Sequence, residues 1–137
     1  MADTQASPAS AGPKWMVWTG WGVAAFPVLM LFASAIMKLA RPAFIVEGFV
    51  KHGYPESILV GLGIVELVCT VLYVIPQTSV LGAILLTGYL GGATATHVRV
   101  GEFSQAFLGA IPFGVLIWLG LFLRDARLRA LIPLRKW

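Results

Sequence analysis

Three consecutive segments near the middle of the chain read ILVGLGIVELVCTVLYVI (residues 58–75), PQT (76–78) and SVLGAILLTGYLGGATAT (79–96). The first apolar run contains one charged residue, Glu66, and the second contains none. Runs of this length and composition are typical of helices that cross a bilayer. Because a proline opens the short segment between them, that segment is predicted to be a tight turn. The two runs are therefore predicted to form an antiparallel helical hairpin.

Two further apolar runs flank this hairpin. The first extends from Trp15 to Met37, and the second from Phe103 to Leu123. As a helix the first is roughly 35 Å long, enough to cross a membrane with some tilt. Any one of the four runs fits a buried helix of a soluble protein. Four in succession predict an all-α integral membrane protein, a four-helix bundle.

The overall composition agrees with this fold class. Of the 137 residues, 58% are hydrophobic and only 12% are charged, against about 25% charged in a soluble domain. So few charges leave most of the surface facing lipid, and the lipid bilayer is the first expected partner. The net charge of +4 does not indicate nucleic-acid binding, because the basic residues lie between and after the apolar runs, where they anchor helix ends at the headgroups.

The remaining segments complete a single domain. Residues 1–13 are rich in Ala, Ser and Pro and are predicted to be a flexible tail. Residues 14–137 are predicted to form one transmembrane domain that ends in a basic C-terminal tail. Between the first two spans, residues 38–57 carry charges and spaced apolar side chains, which predicts a short amphipathic helix at the membrane interface.

Four spans place both termini on the same side of the membrane. Six basic residues lie on that side and four on the other, so the positive-inside rule favours cytoplasmic termini. The ends of spans one and three share the opposite face. That face gathers ionisable residues from separate parts of the sequence, namely Lys38, Arg41, His97, Arg99 and Glu102.

Glu66 is the strongest candidate for a functional residue. It lies about 12 Å below the start of span two, where an acid costs about 2.5–3.5 kcal/mol on insertion scales. Such a side chain is expected to face the bundle interior, either as a proton-titrating or ligand-binding carboxyl or as a neutral group that hydrogen-bonds a neighbouring helix. The single cysteine, Cys69, is interpreted as packing, and no metal-binding motif occurs, so no metal site is expected.

Three other polar residues complete the candidate site. His97, at the end of span three, is either an interfacial side chain or a proton relay and ligand donor. Arg99 and Lys38 fit helix-end anchors whose charges reach toward the headgroups. All three are candidate site residues because the topology brings them to the membrane face nearest Glu66.

Small residues follow one stripe of span three. Gly88, Gly92 and Thr96 are spaced four apart, a pattern that allows another helix to approach closely, within the bundle or between subunits. The alternative is that Gly91 and Gly92 form a flexible point beside a ligand.

Several of these segments resemble the DoxX-like family, over about residues 20–133. The resemblance is carried by SAIMKL (34–39), GYP (53–55), Glu66, IP (75–76), LGAILLTGYLGGATATHVR (81–99) and LRDARL (123–128). The stretch 81–99 is the most specific of these.

The resemblance implies a small bacterial protein with four helices in the cytoplasmic (inner) membrane. It also implies an association with membrane redox processes, since relatives include a thiosulfate:quinone oxidoreductase subunit, members of oxidative-stress assemblies and proteins that respond to quinones. The residues that match the family's recurrent polar positions are Lys38, Glu66, His97 and Arg99. The sequence lacks a cysteine pair, which argues against direct dithiol chemistry.

The leading hypothesis is an accessory membrane redox component with a polar intramembrane pocket. Glu66 would form the floor, with Lys38, His97 and Arg99 nearer the rim, and the pocket would bind a quinone-like or other small lipophilic ligand. The sequence identifies no catalytic residue, and a quinone is the only cofactor that this hypothesis suggests. A homo-oligomer or a membrane redox partner is compatible with the same hypothesis. The alternatives are a small-solute transporter or channel subunit, and a non-catalytic membrane adaptor.

Overall fold

The computed structural model describes residues 13–132, and this part of the chain is helical and contains no strands. The prediction of an all-α protein is confirmed. The predicted flexible tail, apart from Pro13, and the last five residues of the basic tail lie outside the described range. The helices are α1 (Lys14–Ala40), α2 (Ala43–Lys51), α3 (Ile58–Val74), α4 (Ser79–Arg99), α5 (Phe103–Gln105), α6 (Ile111–Arg124) and α7 (Ala126–Leu131).

Three helical segments are long and apolar enough to cross a membrane: Lys14–Ala40, Pro76–Arg99 and Phe103–Arg124. The helix α3, an apolar element of 17 residues, is shorter than these three. Large apolar side chains cover the outside of the bundle; Trp18 is 76% exposed and Leu108 81% exposed. Such a surface suits lipid rather than water, and the chain is a multi-pass membrane protein.

The four apolar helical segments form a closed ring. α1 packs against α3 and α6, and α4 packs against the same two helices. Consecutive segments run antiparallel, as predicted for the hairpin around the Pro76–Thr78 turn. The core between them is apolar, and the buried hydroxyl of Tyr73 donates a hydrogen bond to the carbonyl of Ile117 at 2.7 Å.

Glycines permit the closest helix crossings. A Cβ added at Gly20 would lie 2.7 Å from the carbonyl oxygen of Gly120, and one at Gly82 would lie 2.3 Å from the backbone nitrogen of Tyr73. Both positions therefore exclude any larger residue without movement of a neighbouring backbone. Gly63 similarly lets α3 approach the end of α1 near Lys38.

The predicted interfacial helix is present as α2. Arg41 ends α1 in the left-handed conformation, with φ of 53°, and Pro42 then starts α2. After α2, Gly53 has φ of 84°, which a glycine adopts without strain. These two turns lay α2 across one end of the bundle, and none of its residues is buried.

The fourth span is less regular than predicted. A π-helical turn, Ala106–Ala110, interrupts it just before Pro112. Proline donates no backbone hydrogen bond, and a π-helical turn inserts one extra residue into the helix, so the disturbance is concentrated at this point. Beyond the span, the segment predicted as a basic tail begins with the short helix α7, whose first N–H groups donate to the carboxylate of Asp125.

Candidate functional site

A cavity of about 610 Å³ lies under α2 and between α1, α3, α4 and the start of the fourth span. Its wall contains charged groups from two helices, Lys38 and Glu66, and two histidines, His52 and His97. A second cavity of similar volume lies beside Trp118 between α4 and α6, and within residues 13–132 no charged residue lines it. The first cavity is therefore the candidate functional site.

A buried ion pair forms one end of this cavity. The ammonium nitrogen of Lys38 lies 2.8 Å from Oε2 of Glu66, and the two residues are only 8% and 2% exposed. Lys38 also donates a hydrogen bond to Ser34 one turn earlier on α1, and the Ser34 hydroxyl donates to Glu66 at 3.2 Å. The predicted mid-membrane carboxyl thus faces the bundle interior with polar partners, as expected for a charge that is costly in lipid.

Two aromatic rings lie near the Lys38 ammonium group. Its ammonium nitrogen lies 5.9 Å from the ring centroid of Phe49 on α2 and 5.9 Å from that of Tyr89 on α4. An ammonium group has three N–H donors, and Ser34 and Glu66 accept two of them. The third N–H has no acceptor among the described residues and is available to a ligand in the cavity.

Gly88 and Gly92 border the same cavity. A Cβ added at either would meet nothing within 4 Å. These glycines therefore widen the cavity and do not form a helix crossing inside the bundle, contrary to one of the two packing roles predicted for the small-residue stripe. The structure instead places close crossings at Gly20, Gly63, Gly82 and Gly120.

A second polar cluster lies where α2 meets the end of α4. Oε2 of Glu102 is 2.8 Å from Nε2 of His52 and 2.8 Å from Nδ1 of His97. Nδ1 of His52 faces the carbonyl of Gly48 one turn back on α2. The two imidazole rings meet edge to face, with centroids 5.3 Å apart.

Two of these groups have shifted pKa values. The pKa of His52 is raised, first by its hydrogen bond to Glu102 and then by the Gly48 carbonyl. The pKa of the Glu102 carboxyl is lowered, mainly by its hydrogen bonds to His52 and His97. Both shifts favour the charged forms, since each group stabilises the other's charge.

Arg99 holds the loop after α2 against α4. Its guanidinium donates to the carbonyl of His52 and lies 5.7 Å from the ring of Tyr54. The Tyr54 hydroxyl is in turn 2.7 Å from that of Thr96. Arg99 is not among the residues that line the cavity.

The four predicted site residues thus separate into three positions. Lys38 and Glu66 are in direct contact, His97 lines the same cavity but bonds to Glu102, and Arg99 lies outside it. Ser34 and His52 were not among the predicted site residues. For Ser34, its spacing of four residues from Lys38 was a signal in the sequence that the two side chains could meet. For His52, no sequence signal indicated its contact with Glu102, which is 50 positions away.

The comparisons with known proteins bear on the same region. The profile of the DoxX-like family matches residues 22–120, and no curated protein and no solved structure matches the chain. The matched segment includes α2, α3 and α4 entire and both polar clusters. The chain therefore belongs to the DoxX-like family.

Proposed function

We propose that the protein binds a small lipophilic molecule with a hydrogen-bonding head, a quinone-like ligand, and acts as an accessory component of membrane redox processes. The observation that carries the proposal is the buried Lys38–Glu66 pair in the wall of a cavity of about 610 Å³. Ligand pockets are usually 300–1,000 Å³, mostly apolar, with a few placed polar groups.

The chemistry around Lys38 favours a flat ligand with a carbonyl oxygen. The unused N–H of Lys38 would donate to that oxygen, and Phe49 and Tyr89, which line the cavity near Lys38, would contact the ligand's ring. Charged groups at membrane depth commonly mark ligand or proton pathways. The redox association rests on what family membership implies, and the ligand class rests on the cavity.

Nothing among the described residues favours the transporter, channel or adaptor alternatives over this proposal. A transporter or channel formed by several such chains would need a packing face between subunits, and the glycines predicted for close packing, Gly88 and Gly92, border the cavity. The proposal therefore concerns a single chain.

The test is titration of a short-chain ubiquinone analogue into the purified protein in detergent, followed by calorimetry. Gly92→Leu adds a side chain at a glycine that borders the cavity and leaves Lys38 and Glu66 themselves unchanged. The matched control is Gly61→Leu on α3, where an added Cβ also meets nothing within 4 Å and the residue does not line the cavity.

We expect the wild type and Gly61→Leu to bind the analogue alike, and Gly92→Leu to bind it at least tenfold more weakly. Equal affinity in all three proteins, or no binding by the wild type, would contradict the proposal.

A further inference from the structure

We propose that His52, His97 and Glu102 form a binding site for one Zn²⁺ ion, or a similar divalent transition-metal ion, beside the cavity. Each residue offers one ligand atom, and these three atoms lie within 4.8 Å of one another. The site goes beyond the proposed function, because it uses neither Lys38 nor Glu66.

The donor set suits zinc. Zn²⁺ binds imidazole nitrogen at about 2.0–2.1 Å and carboxylate oxygen at about 2.0–2.2 Å, and two histidines with one glutamate leave a fourth position for water. Neighbouring ligand atoms of such a tetrahedron are about 3.3 Å apart. The separations here, 2.8 Å for both nitrogen–oxygen pairs and at most 4.8 Å for any pair, bracket that spacing. Small side-chain rotations would therefore admit the ion.

The hydrogen bonding of His52 also favours a cation. Its Nδ1 faces the Gly48 carbonyl, which can only accept, so Nδ1 carries a hydrogen. Without an ion, Nε2 can donate a hydrogen bond to the Glu102 carboxylate 2.8 Å away. In the neutral ring with the hydrogen on Nδ1, Nε2 is the nitrogen that has a lone pair for a metal ion. Histidine ligands of metals commonly have this arrangement, with the other ring nitrogen donating to a backbone carbonyl.

The backbone holds the three ligands in place before any ion binds. Gly101 has φ of 81°, and the N–H of Glu102 donates to the carbonyl of His97 at 2.9 Å, so Glu102 turns back over the end of α4. Arg99 fixes the backbone of His52 from the other side. The three side chains are 18%, 30% and 32% exposed for His52, His97 and Glu102, which leaves the site open to an ion from water.

The test is titration of Co²⁺ into the purified full chain, freed of any affinity tag and treated with a chelator. Tetrahedral Co²⁺ with nitrogen and oxygen ligands absorbs visible light, and Zn²⁺ should displace it. We expect one Co²⁺ per chain in the wild type and in the control Glu47→Gln, which changes an exposed glutamate of α2.

His52→Gln, His97→Gln and Glu102→Gln should each weaken Co²⁺ binding at least tenfold. Zn²⁺ should also raise the Tm of the wild type and of Glu47→Gln, since an ion that binds only the folded state stabilises it. Circular dichroism will check that each variant is helical.

Absence of stoichiometric Co²⁺ binding by the wild type, or unchanged affinity in the three variants, would overturn the site. Because no quinone is present in this titration, its outcome is independent of the cavity ligand.

Discussion

At the scale of single residues, the Lys38–Glu66 pair carries a desolvation cost that the fold must offset. Each charge has left water, and the attraction between them must offset that desolvation. Ser34 helps by satisfying one donor of Lys38. Loss of one partner leaves the other charge buried and unpaired, whereas loss of both removes the cost of burying a charge.

Two single variants and their combination test this reasoning. We expect Lys38→Met and Glu66→Leu each to lower the free energy of unfolding by about 3–5 kcal/mol. The double variant should lose much less than the sum of the two, because no unpaired charge remains. Unfolding of the detergent-solubilised protein by a denaturing detergent measures all three, and additive losses would show that the pair is not coupled.

Glu66 could be predicted as a site residue from the sequence, because an acidic side chain buried in an apolar run requires a polar partner. Sequence reasoning selected Lys38 from topology alone, and the two residues touch. It did not foresee His52 with Glu102, because their contact depends on the direction in which α2 folds back. The turns at Arg41–Pro42 and at Gly53 decide that direction, and hydropathy carries no information about either turn.

At the scale of elements, α4 contains two kinds of glycine. Gly82 lies against the backbone of α3, where an added Cβ would be 2.3 Å from the nitrogen of Tyr73. Gly88 faces open space. The sequence pattern around both is similar, so only the packing distinguishes them.

Alanine at these two positions should therefore have opposite effects. We expect Gly82→Ala to destabilise the protein by about 1–3 kcal/mol, as overpacking does. Gly88→Ala should be neutral or stabilise it by up to about 1 kcal/mol, because alanine favours the helix. The difference in thermal unfolding between the variants measures this, and a Gly88→Ala variant less stable than Gly82→Ala would contradict the assignment.

The bounds of the helices were largely predictable, because charges, prolines and glycines mark the ends of the apolar runs. The first span was predicted as Trp15 to Met37 and forms Lys14–Ala40. The π-helical turn before Pro112 and the short helix α7 were not predicted. Both depend on local hydrogen bonding, the first on the missing donor of a proline and the second on the Asp125 cap.

At the scale of the whole molecule, the burial of Lys38 changes the number of basic residues in the loops on one side of the membrane. Of the four basic residues on the face opposite the C-terminus, Lys38 lies inside the bundle beside Glu66 and not in a loop. The positive-inside rule counts the Lys and Arg residues of the loops, so the excess on the side of the termini is larger than the sequence count indicates. This strengthens the expectation that the termini are cytoplasmic.

Cysteine labelling can test that orientation. The chain has one cysteine, Cys69, which is buried, so Cys69→Ala gives a background without thiols. In that background, we expect a membrane-impermeant maleimide added to intact cells to label Val100→Cys and not Ala130→Cys. Both sites are exposed, and both should react after the cells are opened. The reverse pattern would place the termini outside.

The helix α3 spans 17 residues, about 25 Å, beside α1 with 27 residues, about 40 Å. A hydrocarbon layer is about 30 Å thick, so lipid tails next to α3 must compress or splay to meet it. The annular lipids are thus thinned on one flank only. We expect that asymmetry to bring headgroups closer to the flank formed by α3, and to make the protein better matched to thin bilayers than to thick ones.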